Sequence, residues 1–410
     1  MTVTLYRAGM APDRLQRLDH WLQRDFIDTG RLPGAQLLVA RHGEVVHQAT
    51  LGRMDVERDR PLRDDALWRI YSMTKPITSV ALMMLWEEGR FTLNDPVHRF
   101  IPAWRDLRVW EAGRGELLRT RPARQPMTMR HILSHTAGLT YGSALLAPGQ
   151  QPHPVEEAYA ALNIGTRSGD ALERMVQKLG QVPLRFEPGT AWQYSLATDV
   201  CGHLVQVISG QPFETFVQQR ILAPLGMVDT AFHVPADQLD RLTTCYRYDA
   251  QHRMLPVDTP ERSAFARPPA LHSGGGGLVG TLADYHRFCE MLRRGGELDG
   301  VRLLGPRTLA LMRLNHLSGN QDLTQLAQDG FSETANAGIG FGLGFATTLG
   351  EVQAGGLGAG DFFWGGMAST LFWVDPREDL VAIFMTQLIP SRTYNFRGPM
   401  KNIVYSAIMD

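Results

Sequence analysis

Lysine is the scarce residue in this chain. Of the 41 lysines and arginines among 410 residues, only Lys75, Lys178 and Lys401 are lysine. Arginine does not give up its proton inside a protein, whereas a desolvated lysine can. Cysteine is just as rare. Cys201, Cys245 and Cys289 are far apart and lack metal-ligand spacing, so they read as free, buried thiols in a reducing compartment. Net charge is nearly absent, at -1 with acidic and basic residues interspersed, which leaves no electrostatic footprint for nucleic acid or an anionic membrane. No apolar run is long enough to span a bilayer, and Met1 to Asp28 shows no basic segment followed by an apolar one. A water-soluble, cytoplasmic protein is the expectation.

Several catalytic signatures are missing too. No G-x-S-x-G elbow is present, which argues against an α/β-hydrolase. The run Ser273-Gly274-Gly275-Gly276-Gly277 has no lysine after it and cannot be a P-loop; it reads as a backbone turn before a helix. His131 and His135 are four apart but lack the H-E-x-x-H pattern and a third ligand, so a structural role at a helix end suits them better than zinc. There is no internal repeat and no low-complexity tract.

What is present is a change of period along the chain. Pro12 to Ile27 carries apolar residues at helical spacing, and Gly34 to Arg53 reads as a hairpin turning at Arg41-His42-Gly43. From there to about residue 270 the signals are mostly helical, clearest over Met129–Leu133, Ala171–Leu179, Thr198–Ser209 and Phe213–Arg220. Thr281 is placed to cap a helix running to about Arg294, with Asp284 as the capping-box acid. Asn315 to Ala337 reads as loop. Strands resume over Phe341–Thr348, Asp361–Trp364, Thr370–Val374 and Leu380–Met385, and a last helix covers Pro399 to Met409. Strands at both ends with helices between them predict an α+β protein. Its sheet would come from residues 1–71 and 275–410, with a mostly helical domain over 72–274 inserted.

The stretch Tyr71-Ser72-Met73-Thr74-Lys75-Pro76 opens an apolar helix that stops at Gly89. Residues three apart share a helix face, so the Ser72 hydroxyl and the Lys75 amine can meet there. A neutral amine beside a serine hydroxyl activates a weak nucleophile, and the helix N-terminus favours a developing anion. An ordinary buried helix fits S-x-x-K alone equally well. Trp192-Gln193-Tyr194-Ser195, delivered by the Pro188-Gly189 turn, offers a tyrosine that a nearby ammonium would make a better base; packing of an aromatic pair is the plainer reading. Trp364-Gly365-Gly366-Met367 ends a predicted strand, and paired glycines there mark a bulge or the close approach of another group.

Together these motifs resemble the serine β-lactamase and penicillin-binding protein superfamily, and most closely its family VIII carboxylesterases. The resemblance runs from about Gly34 to the C-terminus and includes Leu133-Ser134-His135-Thr136-Ala137-Gly138-Leu139. It implies an antiparallel sheet flanked by helices, an active site at the interface with the helical domain, Ser72 as nucleophile, and Lys75 and Tyr194 as the bases that relay its proton. It also implies an oxyanion hole from the Ser72 and Met367 amides, and a substrate wall at Trp364, Gly365 and Gly366. The reaction would pass through an acyl-enzyme, with no metal or organic cofactor. Two departures from the β-lactamase pattern stand out: Leu196 replaces the asparagine of Tyr-x-Asn, and Trp364 replaces the lysine that pairs with a drug's carboxylate. Both favour a neutral ester as substrate, and small, short-chain esters are the expected preference. A β-lactamase or D-Ala-D-Ala peptidase, an acyltransferase and a catalytically idle binding protein remain the competing readings, and the oligomeric state is not legible.

Overall fold

The first hairpin forms where the period changes. Strands β1 (Gly34–Arg41) and β2 (Glu44–Asp55) pair antiparallel across a two-residue turn. Both turn residues, His42 and Gly43, have positive φ, the twist that a tight hairpin needs. β3 (Arg60–Pro61) extends the sheet on one side. On the other side β1 pairs with a strand from the far end of the chain. The structure is a computed structural model that describes residues 6–146, 149–328 and 337–410.

The C-terminal strands are β4 (Ile339–Phe341), β5 (Ala346–Thr348), β6 (Phe362–Gly365), β7 (Leu371–Asp375) and β8 (Leu380–Met385). With the first hairpin they make one eight-stranded sheet in the order β4-β5-β6-β7-β8-β1-β2-β3. Every neighbouring pair is antiparallel. The central strands β1, β7 and β8 are buried at every position, because helices cover both faces. Phe372 meets Tyr285 of the helix Leu282–Arg293 and is in register with Ile383; the next residue, Phe384, meets Phe396 beside the C-terminal helix Arg397–Ser406. Successive strand residues face opposite sides, so these two helices lie on opposite faces.

The helical part is organised around α1 (Thr74–Glu87) and α2 (Ala197–Ser209), which pack against each other. Residues Thr74 through Leu85 of α1 are all buried, so this helix has no polar face and sits inside the protein. Its end follows the sequence signal: Gly89 has φ +71, and Arg90 N–H closes on Leu85 O at 3.1 Å.

Four expectations need correction. The strand predicted over Phe341–Thr348 is two strands, because Gly344 adopts φ +105 where Ser79 of α1 presses against it, and no side chain fits. The stretch from Asn315 holds a short helix at Leu323–Leu326, capped by Asp322 accepting from Thr324 N–H at 3.0 Å; residues 329–336 lie outside the described residues. Thr281 does cap its helix through Asp284 N–H at 3.1 Å, but the Asp284 carboxylate turns away. It accepts instead from Asp229 N–H and Thr230 Oγ, both at 2.8 Å, so half of the capping box is missing. The last helix begins at Arg397, before Pro399, and ends at Ser406.

Candidate active site

Ser72 lies in a short turn, Tyr71–Met73, that leads straight into α1. Tyr71 has φ +41, a left-handed conformation that costs free energy for a bulky side chain and so must be held from outside. The restraints are visible: Ile70 N–H donates to Leu278 O at 3.2 Å, Leu278 N–H to Thr74 Oγ at 3.1 Å, and the Tyr285 hydroxyl to Met73 O at 3.0 Å. Pro76 sits in the first turn of α1, where no intrahelical partner for its missing N–H is needed.

Lys75 is fully buried. Its Nζ lies 3.2 Å from Ser72 Oγ, 2.8 Å from the Tyr141 hydroxyl and 2.7 Å from Gly275 O. It also stands 4.5 Å above the Tyr194 ring and 5.3 Å from the Tyr141 ring. The Ser-Lys face anticipated from the three-residue spacing is therefore present. Tyr194 joins it from the turn before α2, with its hydroxyl accepting from Trp364 Nε1 at 3.2 Å and the two ring centroids 5.3 Å apart. The third motif arrives on β6. Gly366 must be glycine: a Cβ there would lie 2.6 Å from Ile70 O and also strike Thr370. That close approach sets the end of β6 directly against the Ser72 turn. Among the described residues, no backbone carbonyl accepts from the Met367 N–H just beyond it. Arg397 braces the strand from behind, donating to Trp364 O at 3.1 Å and Phe372 O at 3.2 Å.

The histidines lie behind this constellation. His135 is buried with its ring 5.1 Å from that of Tyr194, Nδ1 3.1 Å from Ser195 Oγ and Nε2 3.4 Å from Thr198 Oγ1. Burial holds its pKa well below the ordinary value, so the ring is neutral. His131 Nδ1 accepts from Thr128 N–H at 3.2 Å in a helix cap, and burial lowers its pKa to about 4. Trp192 stacks on Tyr194 at an interplanar angle of 16°. Among the described residues, no group of His, Cys, Asp and Glu is placed to hold a metal ion.

Two contributors escaped the sequence reading. Tyr141 comes from a loop without periodicity, and only its position shortly after Gly138-Leu139 could have drawn attention to it. The four-glycine run is more than a turn before a helix. Its Gly275 carbonyl holds Lys75, and a Cβ at Gly275 would lie 3.0 Å from the Tyr141 hydroxyl.

The β-lactamase family model matches residues 15–399. Protein Rv1367c of Mycobacterium tuberculosis is 34% identical over 372 residues, covering 90% of this chain and 88% of its own. Esterase EstB of Burkholderia gladioli is 33% identical over 376 residues, covering 87% and 86% respectively. The solved structure of EstCE1, described as a hydrolase with promiscuous acyltransferase activity, superposes with a TM-score of 0.77 at 28% identity, over 97% of this chain and 99% of that one. Motifs, sheet order and these matches agree, and the chain belongs to the β-lactamase family.

Proposed function

We propose that this protein is a carboxylesterase of the family VIII type, cleaving small neutral esters through an acyl-enzyme on Ser72. The observation that carries the reading is the set of partners around Lys75. A neutral amine has two N–H bonds and one lone pair. Lys75 Nζ lies within donating distance of Ser72 Oγ, the Tyr141 hydroxyl and Gly275 O, and once it has lost a proton it can keep its two N–H bonds on Gly275 O and Tyr141 and turn its lone pair to the Ser72 hydroxyl.

In this reading Ser72 Oγ attacks the ester carbonyl as its proton passes to the Lys75–Tyr194 pair. The C–O bond to the alcohol breaks, and the alcohol leaves with that proton. Water then attacks the acyl-enzyme, giving a proton to the same pair, and Ser72 recovers its hydrogen as the acid departs. The Ser72 and Met367 amides receive the carbonyl oxygen in both tetrahedral states. The indole N–H of Trp364, donated to the Tyr194 oxygen, favours negative charge there. An N–H so engaged does not serve a substrate carboxylate, and Leu196 is buried where an amide would be needed. Both points favour a neutral ester, to which we add a short acyl chain seated against Trp364, Gly365 and Gly366. Transfer of the acyl group to an alcohol instead of water is the second reading, supported by the activity described for EstCE1. Residues 1–71 with 275–410, and 72–274, are the two domains we assign, with Ser72 at their junction.

The test is a side-by-side comparison of p-nitrophenyl butyrate and nitrocefin on one preparation, with Ser72→Ala as control. A charge-assisted bond to a carboxylate contributes about 1.5–3 kcal/mol, so its loss alone costs the β-lactam roughly ten- to a hundred-fold or somewhat more. The ester is expected to lead by several orders of magnitude in kcat/KM, with Ser72→Ala inactive. Comparable efficiencies would place the enzyme among the β-lactamases, and an active Ser72→Ala would remove the nucleophile.

A further inference from the structure

One buried carboxyl close to the site has no part in the chemistry described so far. Asp199, in the first turn of α2, is fully buried. Its Oδ1 accepts from Ser273 Oγ at 2.5 Å and from Gly275 N–H at 3.1 Å, while Oδ2 has no hydrogen-bond partner among the described residues. The same Gly275 residue presents its carbonyl to Lys75 at 2.7 Å. Gly275 is thus held by Asp199 through its N–H and holds the amine through its C=O. A Cβ at Gly275 would lie 2.6 Å from Asp199 Oδ2 and 3.0 Å from the Tyr141 hydroxyl, so the unpartnered oxygen faces the corner where Lys75 and Tyr141 meet. A buried carboxyl oxygen without a partner is costly to keep.

We propose that Asp199 is a positioning residue for Lys75: through Ser273 and Gly275 it fixes the carbonyl that orients the amine, and its buried charge sets how tightly Lys75 holds a proton. This rests on the reading of Lys75 as the proton acceptor for Ser72. The other titratable groups on this corner are the Tyr141 and Tyr194 phenols beside the amine, His135 behind Tyr194, and Cys201 next to Asp199 on α2. His135 is neutral and burial pushes the Cys201 thiol up, which leaves Asp199 as the carboxyl acting on the amine, beside the two phenols. Burial raises the Asp199 carboxyl above its ordinary value, while Ser273, Lys75 and Gly275 pull it back toward ionisation.

The test uses the full chain with Asp199→Asn, which keeps the shape and one acceptor oxygen but removes the charge, and Ser273→Ala, which removes one hydrogen bond and leaves the charge. The readouts are kcat and KM for p-nitrophenyl butyrate across pH, the pH dependence of phosphonate labelling of Ser72, and the melting temperature. Without the nearby negative charge the amine releases its proton more readily. In Asp199→Asn the acid limb of kcat/KM and of labelling should therefore move to lower pH, by about one unit. Its kcat should fall about ten-fold, the scale of a lost bond to a charged group, with KM little changed. Ser273→Ala should lower kcat and leave the acid limb in place. An Asp199→Asn protein with a lower melting temperature but the wild-type acid limb would overturn the proposal and make the residue purely structural. If Asp199→Asn does not fold, Ser273→Ala decides: a reduced kcat in a folded protein supports the proposal, and a wild-type kcat overturns it. Failure of wild-type Ser72 to take the phosphonate is a different result, which would bring down the esterase reading itself.

Discussion

Lys75 and Lys401 are both buried, yet they are held in opposite ways. Lys401, on the C-terminal helix, pairs with the carboxylate of Asp361, which is fully buried and also accepts from Thr348 Oγ at 2.5 Å. A carboxylate favours the ammonium form and keeps it. Lys75 meets a carbonyl oxygen, a phenol, a serine hydroxyl and two aromatic rings. These contacting groups are neutral and orient the amine without a carboxylate in direct contact; Asp199 stands one residue removed, behind Gly275. The three lysines are thus held differently: Lys401 pairs with Asp361, Lys178 pairs with Asp170 nearer the surface, and Lys75 is the one we assign to proton transfer.

Exchanging the two lysines for other residues is the strongest way to break this comparison. Lys75→Arg keeps a cation but cannot accept a proton, so it should lose about 10²–10⁴-fold in kcat, as much as Lys75→Ala. Lys401→Met should do the reverse. It strands the Asp361 carboxylate in the interior and should cost on the order of 3 kcal/mol of stability, while the rate per labelled Ser72 stays near wild type. Urea titration and active-site counting separate the two. Equal kinetic damage from both changes would mean that the environments do not distinguish the roles.

The partner tyrosine sharpens the picture on the Lys75 side. Tyr194→Phe should lose at least ~10²-fold, and Lys75→Ala combined with it should lose far less than the product of the single losses, because the two groups act on one proton. Additive losses would show two independent functions.

A smaller effect separates the neutral histidines from both lysines. His131 and His135 have depressed pKa values in the folded protein, so the unfolded chain binds more protons as pH falls. Their contribution to stability is complete above about pH 6.5 and is lost progressively as the pH drops toward about 4, the folded value for His131. Protonation there also removes the acceptor that caps Thr128 N–H. Melting temperature should decline across this window, and His131→Asn should flatten part of the decline. A steeper decline in the variant would reverse the sign.

What could be read from the sequence follows from how local each feature is. Ser72 and Lys75 are one helical turn apart, so spacing alone brings them together. Tyr194 and Trp364 were legible through motif resemblance, and the geometry groups them with Lys75. Tyr141, Gly275 and Asp199 were not, because they reach the same corner from three separate segments. One contributes only a backbone carbonyl, which no side-chain pattern encodes. The same holds for the fold. That one sheet joins both chain ends was legible from the strands there, but its strand order was not, and the break between β4 and β5 depends on Ser79 of α1 pressing on Gly344, a contact between residues far apart in the chain.

The central claim is that Lys75 takes the proton from Ser72, and the most direct measurement is the intact mass and mapped adduct of wild type and Lys75→Arg after exposure to a serine-directed phosphonate, each followed through time. The account predicts a single adduct on Ser72 in the wild type, forming faster as pH rises through the acid limb, and labelling slowed by at least ~10² in a folded Lys75→Arg protein. Rapid labelling of Ser72 in Lys75→Arg, or an adduct on another serine, would contradict it.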